Sequence, residues 1–186
     1  MGNRGVLHDQ TQTLGKARWR HKAWIICSLS FKGRHSEVMP TNGYTRLFFL
    51  DEAVALAAGH RPCYECRRND YTTYMNHWAS AHKSETSCAS DVDNTLHSQR
   101  VHPSTRQQIT ATMPIDDLPD GIFIQLPNEP TPYLIFRDGL FAFRNSGYAP
   151  PVKRPKSTLV SVLTPLSTIK VLRSGFKPAL HSSIKL

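Results

Sequence analysis

The feature that most limits what this chain can become is a corner followed by two thiols, Gly59-His60-Arg61-Pro62-Cys63-Tyr64-Glu65-Cys66. An apolar run from Leu47 to Leu50 reads as a strand, and Asp51 is placed to cap a helix on Glu52 to Ala58, a stretch rich in strong helix formers. Gly59 stands where such a helix needs a left-handed C-terminal residue, and Pro62 prevents the helix from restarting. Arg67-Arg68 then opens a second helix through Tyr71, Tyr74 and Trp78, whose spacing is that of a core-facing stripe. Strand, short helix, tight turn and two thiols together make a scaffold for a soft divalent metal.

A single Cys-x-x-Cys supplies half of such a site, because structural zinc takes four ligands and catalytic zinc three plus a water. The remaining donors must come from Cys27, Cys88 or the nine histidines, among which His35, His60, His8 and His97 are the candidates. Cys27 by itself reads as an ordinary buried cysteine of a strand over Ala23–Leu29. A redox pair normally opens a helix beyond a strand, whereas this pair follows a turn that ends a helix, so metal binding is the preferred role.

The segment AAGHRPCYECRRND, preceded by LFFLDEAVAL, resembles the zinc-binding module of the Ada methyl-DNA repair family over residues 47–74. The resemblance implies an α+β module that holds zinc on four thiolates and contacts the DNA backbone. Cys63 and Cys66 match that family's downstream pair. Its upstream Cys-x-x-x-Cys is missing, with Cys27 and His35 in the equivalent region, so the methyl-acceptor activity is not carried over. A mixed zinc site of Cys27, His35, Cys63 and Cys66 is the expected substitute, since imidazole and thiolate both suit the ion.

A second pattern points to an enzyme. His35-Ser36-Glu37 followed by Pro62-Cys63-Tyr64-Glu65-Cys66 spells H-x-E…P-C-x-x-C, the zinc deaminase signature. On that reading His35, Cys63 and Cys66 hold zinc, and Glu37 shuttles the proton of the activated water. The context differs: Pro40, Asn42 and Gly43 follow Glu37 closely, and a helix precedes the thiols where deaminases have a strand. Another metal-dependent hydrolase on the same ion belongs to this alternative.

The formal charge of +9 is concentrated at the two ends. Residues 1–36 carry seven Lys/Arg against Asp9 alone, and residues 151–186 carry seven with no acid. Gathered on one face, the ends would bind a polyanion; apart, they serve solubility. Arg18, Arg20, Lys153, Arg154 and Lys156, with Arg67 and Arg68 beside the thiols, are the expected phosphate contacts, to DNA ahead of RNA. No apolar run approaches the roughly 20 residues of a membrane span, and no secretory leader is visible. A cytoplasmic protein is expected, with no membrane partner.

Around this centre, residues 1–22 read as a polar surface arm or irregular lead-in, 31–43 and 79–90 as loops, 91–101 and 104–113 as short helices, and 115–121 as a linker or turn. Beyond it come strand-sized runs, GIFIQL and PYLIFRDGLFAFR, with a hairpin signal at Asp138-Gly139. A Pro- and Lys-rich connection, 149–157, leads to a strand over Thr158–Leu163 and a closing helix. LTPLSTIKVLRSGFKP (163–178) lines up with LFFLDEAVALAAGHRP (47–62) as a loose repeat without the thiols. The expectation is an α+β fold: a metal-stabilised module over 1–118, and a β-rich antiparallel part over 119–186 that ends in a short helix.

Overall fold

The computed structural model describes residues 1–33, 37–83 and 88–185. Four very short strands, β1 (Gly2–Asn3), β2 (Ile25–Ile26), β3 (Arg46–Leu47) and β4 (Arg61–Pro62), form one sheet in the order β3-β1-β2-β4. β1 is antiparallel to both neighbours, while β2 and β4 run parallel, Ile25 opposite Arg61 and Ile26 opposite Pro62. Helices α1 (Glu52–Ala57), α2 (Arg68–His82) and α3 (Ala89–Arg100) follow. The second sheet comprises β5 (Ala111–Pro114), β6 (Phe123–Gln125), β7 (Pro132–Phe136), β8 (Gly139–Arg144), β9 (Gly147–Tyr148), β10 (Val152–Lys153) and β11 (Leu159–Val162). It is antiparallel in the order β10-β8-β7-β6-β11-β5, with β9 on β8, and helix α4 (Leu166–Arg173) closes the chain. The fold is α+β.

The corner forms as its residues require. Asp51 Oδ1 accepts from the Val54 amide at 3.0 Å and starts α1. At the other end the Gly59 amide donates to Leu56 O and the His60 amide to Ala55 O, a Schellman pair that needs the left-handed residue Gly59 supplies at φ +77°. A Cβ at Gly59 would also collide with the Arg100 side chain. α4 ends the same way, with Gly175 at φ +108° and amide bonds from Gly175 to Leu172 O and from Phe176 to Val171 O. The likeness of 47–62 to 163–178 extends to this closing turn, but the helix starts differ, since Pro165 offers no side-chain cap.

Asp51 has a second task. Its Oδ2 accepts from the Tyr148 hydroxyl at 2.8 Å and the His181 amide at 3.1 Å, tying α1 to β9 and the C-terminal segment. Asp51→Ala is therefore expected to remove a helix cap and orphan a buried phenol, at about 2–4 kcal/mol together. Thermal unfolding should shift down by roughly 5–15 °C, while Asp51→Asn keeps most of the cap.

Three expectations are corrected. The first eight residues are not part of a surface arm: β1 lies inside the first sheet, Leu7 is buried and its amide donates to Thr45 Oγ1, while residues 9–22 are irregular and mostly exposed. The segment from Ala79 is not loop: α2 runs on to His82, whose ring stacks on Trp78 with centroids 4.2 Å apart. No helix forms over 104–113; Val101 bridges Gln108, and Ala111–Pro114 pairs with β11, because β-branched Ile109, Thr110 and Thr112 favour extended backbone. Of the two readings of 115–121 the turn holds: Ile115–Asp117 make a 3-10 turn, and its Ile115 is completely buried. The hairpin forms one residue before the Asp138-Gly139 pair, turning on Arg137 and Asp138 with Phe136 opposite Gly139, the first residue of β8.

One apolar cluster draws Ile26, Leu56, Tyr74 and Val92 together with Ile122, Ile135 and Ile169. Residues on both sides of position 118 thus share a core. Tyr74 and Trp78 form the buried stripe of α2, and Tyr74 meets Phe176 edge-on, with ring centroids 5.4 Å apart.

Candidate metal centre

The parallel pairing of β2 with β4 creates the site. The Arg61 amide donates to Trp24 O and the Cys63 amide to Ile26 O, so Cys27 and Cys63 leave neighbouring strand ends together. The turn after Cys63, closed by the Arg67 amide on Cys63 O, brings Cys66 back toward them. The Ser28 amide donates to Cys66 Sγ at 3.3 Å and the Ser28 hydroxyl to Cys66 O at 3.0 Å. The Sγ atoms of Cys27, Cys63 and Cys66 all lie within 4.8 Å of one another, and all three cysteines are free.

The electrostatics suit a cation. The Cys27 thiol donates to Cys63, and backbone amides of Cys66 and Glu65 add to it; against the opposing effect of burial, these hold Cys63 down to about 5. Cys27 is pushed up in turn, first by its bond to Cys63 and then by burial. The Cys63 thiol is thus easier to deprotonate than an ordinary cysteine, as a metal ligand must be. Tetrahedral bonds of about 2.3 Å would set the sulfurs roughly 3.8 Å apart, so the observed grouping needs only a small contraction. Three soft, converging donors fit zinc or another thiophilic metal.

The centre forms one wall of a cavity of about 520 Å³, which Tyr44, Arg46, Glu65 and Phe48 also line. The Tyr44 hydroxyl is hydrogen-bonded to Cys27 and is pushed up to about 12, chiefly by burial and then by the sulfur's charge. Nothing in the sequence around Gly43-Tyr44 marked this phenol.

Among the described residues the other candidate donors lie elsewhere. His35 falls outside the described residues. Glu37 is exposed, and its carbonyl accepts from the Arg46 guanidinium. His60 is completely buried, held neutral by that burial, and accepts from Arg4 Nε at 3.1 Å. His8 bonds to Thr45 Oγ1 and Pro40 O, His97 faces Trp19 and Trp24, and exposed Cys88 contacts Ser90 and Asp91 at the start of α3.

The expected phosphate contacts divide into two groups. Arg67 pairs with Glu52 at 2.9 Å and Asp70 at 2.8 Å, bracing α1 against α2. Arg154 donates to the carbonyls of Ile115 and Leu118, tying β10 to the 3-10 turn. Arg18, Arg20, Lys153 and Lys156 are exposed, as is Arg68, which lies over the Tyr64 ring at 4.0 Å. Among the described residues no helix is long and apolar enough to cross a membrane. Comparison with known proteins finds no matching family model, no matching curated protein and no matching solved structure.

Proposed function

We propose that this is a zinc protein of the nucleic-acid-associated class, in which a thiolate centre holds the first sheet to the α1–α2 corner and exposed cations contact phosphate. The observation that carries the reading is the convergence of Cys27 with Cys63 and Cys66 across a parallel strand pair. When bound, the ion supplies a fixed positive charge that cross-links segments 36 positions apart. Three thiolates leave one position of a tetrahedral ion for a further donor, the place for which His35 is the sequence candidate. The likeness of residues 47–74 to the Ada zinc module, and the surplus of base in both terminal segments, favour nucleic acid, DNA ahead of RNA. Arg18, Arg20, Arg68, Lys153 and Lys156 are the contacts of this reading.

The test is direct. Protein purified without chelator should carry one zinc per chain by elemental analysis. Its affinity for duplex DNA should fall by about tenfold or more between 50 and 200 mM salt, the behaviour of several phosphate contacts. Metal-free folded protein would remove the first half of the proposal, and absent or salt-insensitive binding the second.

A further inference from the structure

A second cavity, of about 200 Å³, lies away from the thiols against α3. Its wall carries four guanidinium groups, Arg4, Arg18, Arg100 and Arg106, with Trp19 and Trp24, and no carboxylate belongs to it. Among the described residues none of the four arginines pairs with an acid. The nearby Asp93 is occupied: both of its oxygens accept from Arg61, at 2.8 and 2.7 Å.

Arg100 is only 3 % exposed, yet among the described residues it makes no ion pair; the negative charge that reaches it, Asp93, is held by Arg61. Its Nη1 donates to Gly59 O at 2.6 Å and its Nη2 to Lys22 O at 2.5 Å, which fixes the plane of the fork. Its Nε is buried and has no hydrogen-bond partner among the described residues. The Arg4 and Arg100 guanidinium carbons each lie 3.8 Å from the centre of the Trp24 ring. Stacking on an indole offsets part of the cost of burying a cation, but it neutralises neither charge, and two like charges share one ring. Burial lowers Arg4 to about 10 and Arg100 to about 9, so both remain charged at neutral pH.

We propose that this cavity is a phosphate-binding site, in which Arg100 and Arg4 form a preset inner pair and Arg18 and Arg106 close on the ligand from the rim. Four guanidinium charges without a carboxylate, two of them exposed forks at the rim, suit a dianion with several acceptor oxygens better than a single carboxylate. The volume is below the 300–1,000 Å³ or so that encloses a drug-sized molecule. The site therefore takes a phosphate group and the first atoms attached to it, not a whole nucleotide. Free phosphate and the terminal phosphate of a nucleic-acid strand share this chemistry. The site needs neither the metal centre nor the general nucleic-acid reading, because inorganic phosphate alone tests it.

Tryptophan fluorescence of the full chain, with Trp19 and Trp24 in the cavity wall, is the readout, and calorimetry gives the affinity. Inorganic phosphate at constant ionic strength should produce a saturable change. The exposed rim pair, Arg18→Gln with Arg106→Gln, should weaken it at least tenfold without altering the melting temperature. A 5′-phosphorylated oligonucleotide that binds at least tenfold tighter than its 5′-hydroxyl twin, with the difference lost in the rim variant, supports the site and assigns it to strand ends. Equal binding of the two oligonucleotides, with phosphate still saturable, supports the site and assigns it to free phosphate. No response to phosphate or to either end group in the intact protein, or full affinity in the rim variant, overturns the proposal and leaves the arginines as packing for Trp24. Salt-dependent binding of the 5′-hydroxyl strand reports on the general nucleic-acid reading separately.

Discussion

On the zinc reading proposed above, exchange of Cys63 for serine is expected to release the metal and unfold the first sheet, the largest single loss of stability any substitution in this chain should produce. Cys63 is 7 % exposed and stands where the α1 corner, β4 and β2 meet. Every strand of that sheet has two residues; ladders this short have little stability of their own. A structural zinc contributes on the order of 10–16 kcal/mol to folding in small zinc-dependent peptides. Losing one of three thiolates should forfeit a large fraction of the ion's contribution here. Zinc content should fall to background and the melting temperature by more than about 10 °C, with amide exchange rising first in residues 1–30 and 44–66. Because the Cys27 proton must leave when the ion binds, zinc affinity should weaken as pH is lowered. Cys88→Ser is the control: that thiol is exposed, and its loss should stay within about 0.5 kcal/mol. If Cys63→Ser melts like Cys88→Ser, the three sulfurs are ordinary thiols.

How much of this arrangement could be read from residues alone depends on how local its cause is. The Asp51 cap, the Gly59 turn and the Cys63–Cys66 spacing are each encoded within a few positions, and each appears in the structure where its chemistry puts it. The hairpin at Arg137–Asp138 is of the same kind. The first sheet is the opposite case. Gly2 pairs with both Leu47 and Ile26, and a two-residue strand has no periodicity to detect. Segment 104–113 failed as a helix because its partner, β11, lies about 50 residues on. At the thiol centre, two sulfurs are close in sequence, but Cys27 arrives only through a parallel strand pairing that no local signal announces. The arginine cavity has no local signal for the same reason: Arg4, Arg18, Arg100 and Arg106 come from two distant segments that only the fold brings together.

Asp93→Ala should be the most damaging change outside the thiols. Arg61 and Asp93 are each 5 % exposed and bonded twice, Nε to Oδ1 at 2.8 Å and Nη2 to Oδ2 at 2.7 Å, joining β4 to α3. A buried pair of this kind adds little net stability over apolar residues of the same shape, but loss of one partner leaves the other charge buried alone, at about 3–5 kcal/mol. Here the cost should reach the upper end. With Asp93 gone, Arg61 faces Arg100, which loses the same negative charge, and the Arg4 charge stands nearby. The melting temperature should fall by roughly 10–20 °C, taking 2–4 °C per kcal/mol for a chain of this size. Since Arg61 lies two positions before Cys63, zinc should also be lost more readily to a chelator. The double variant Arg61→Met with Asp93→Leu separates the causes. Recovery of most of the lost stability would place the penalty in the stranded cation, whereas a double variant as unstable as Asp93→Ala would show that the bidentate geometry itself holds β4, and with it the cysteine corner, in place.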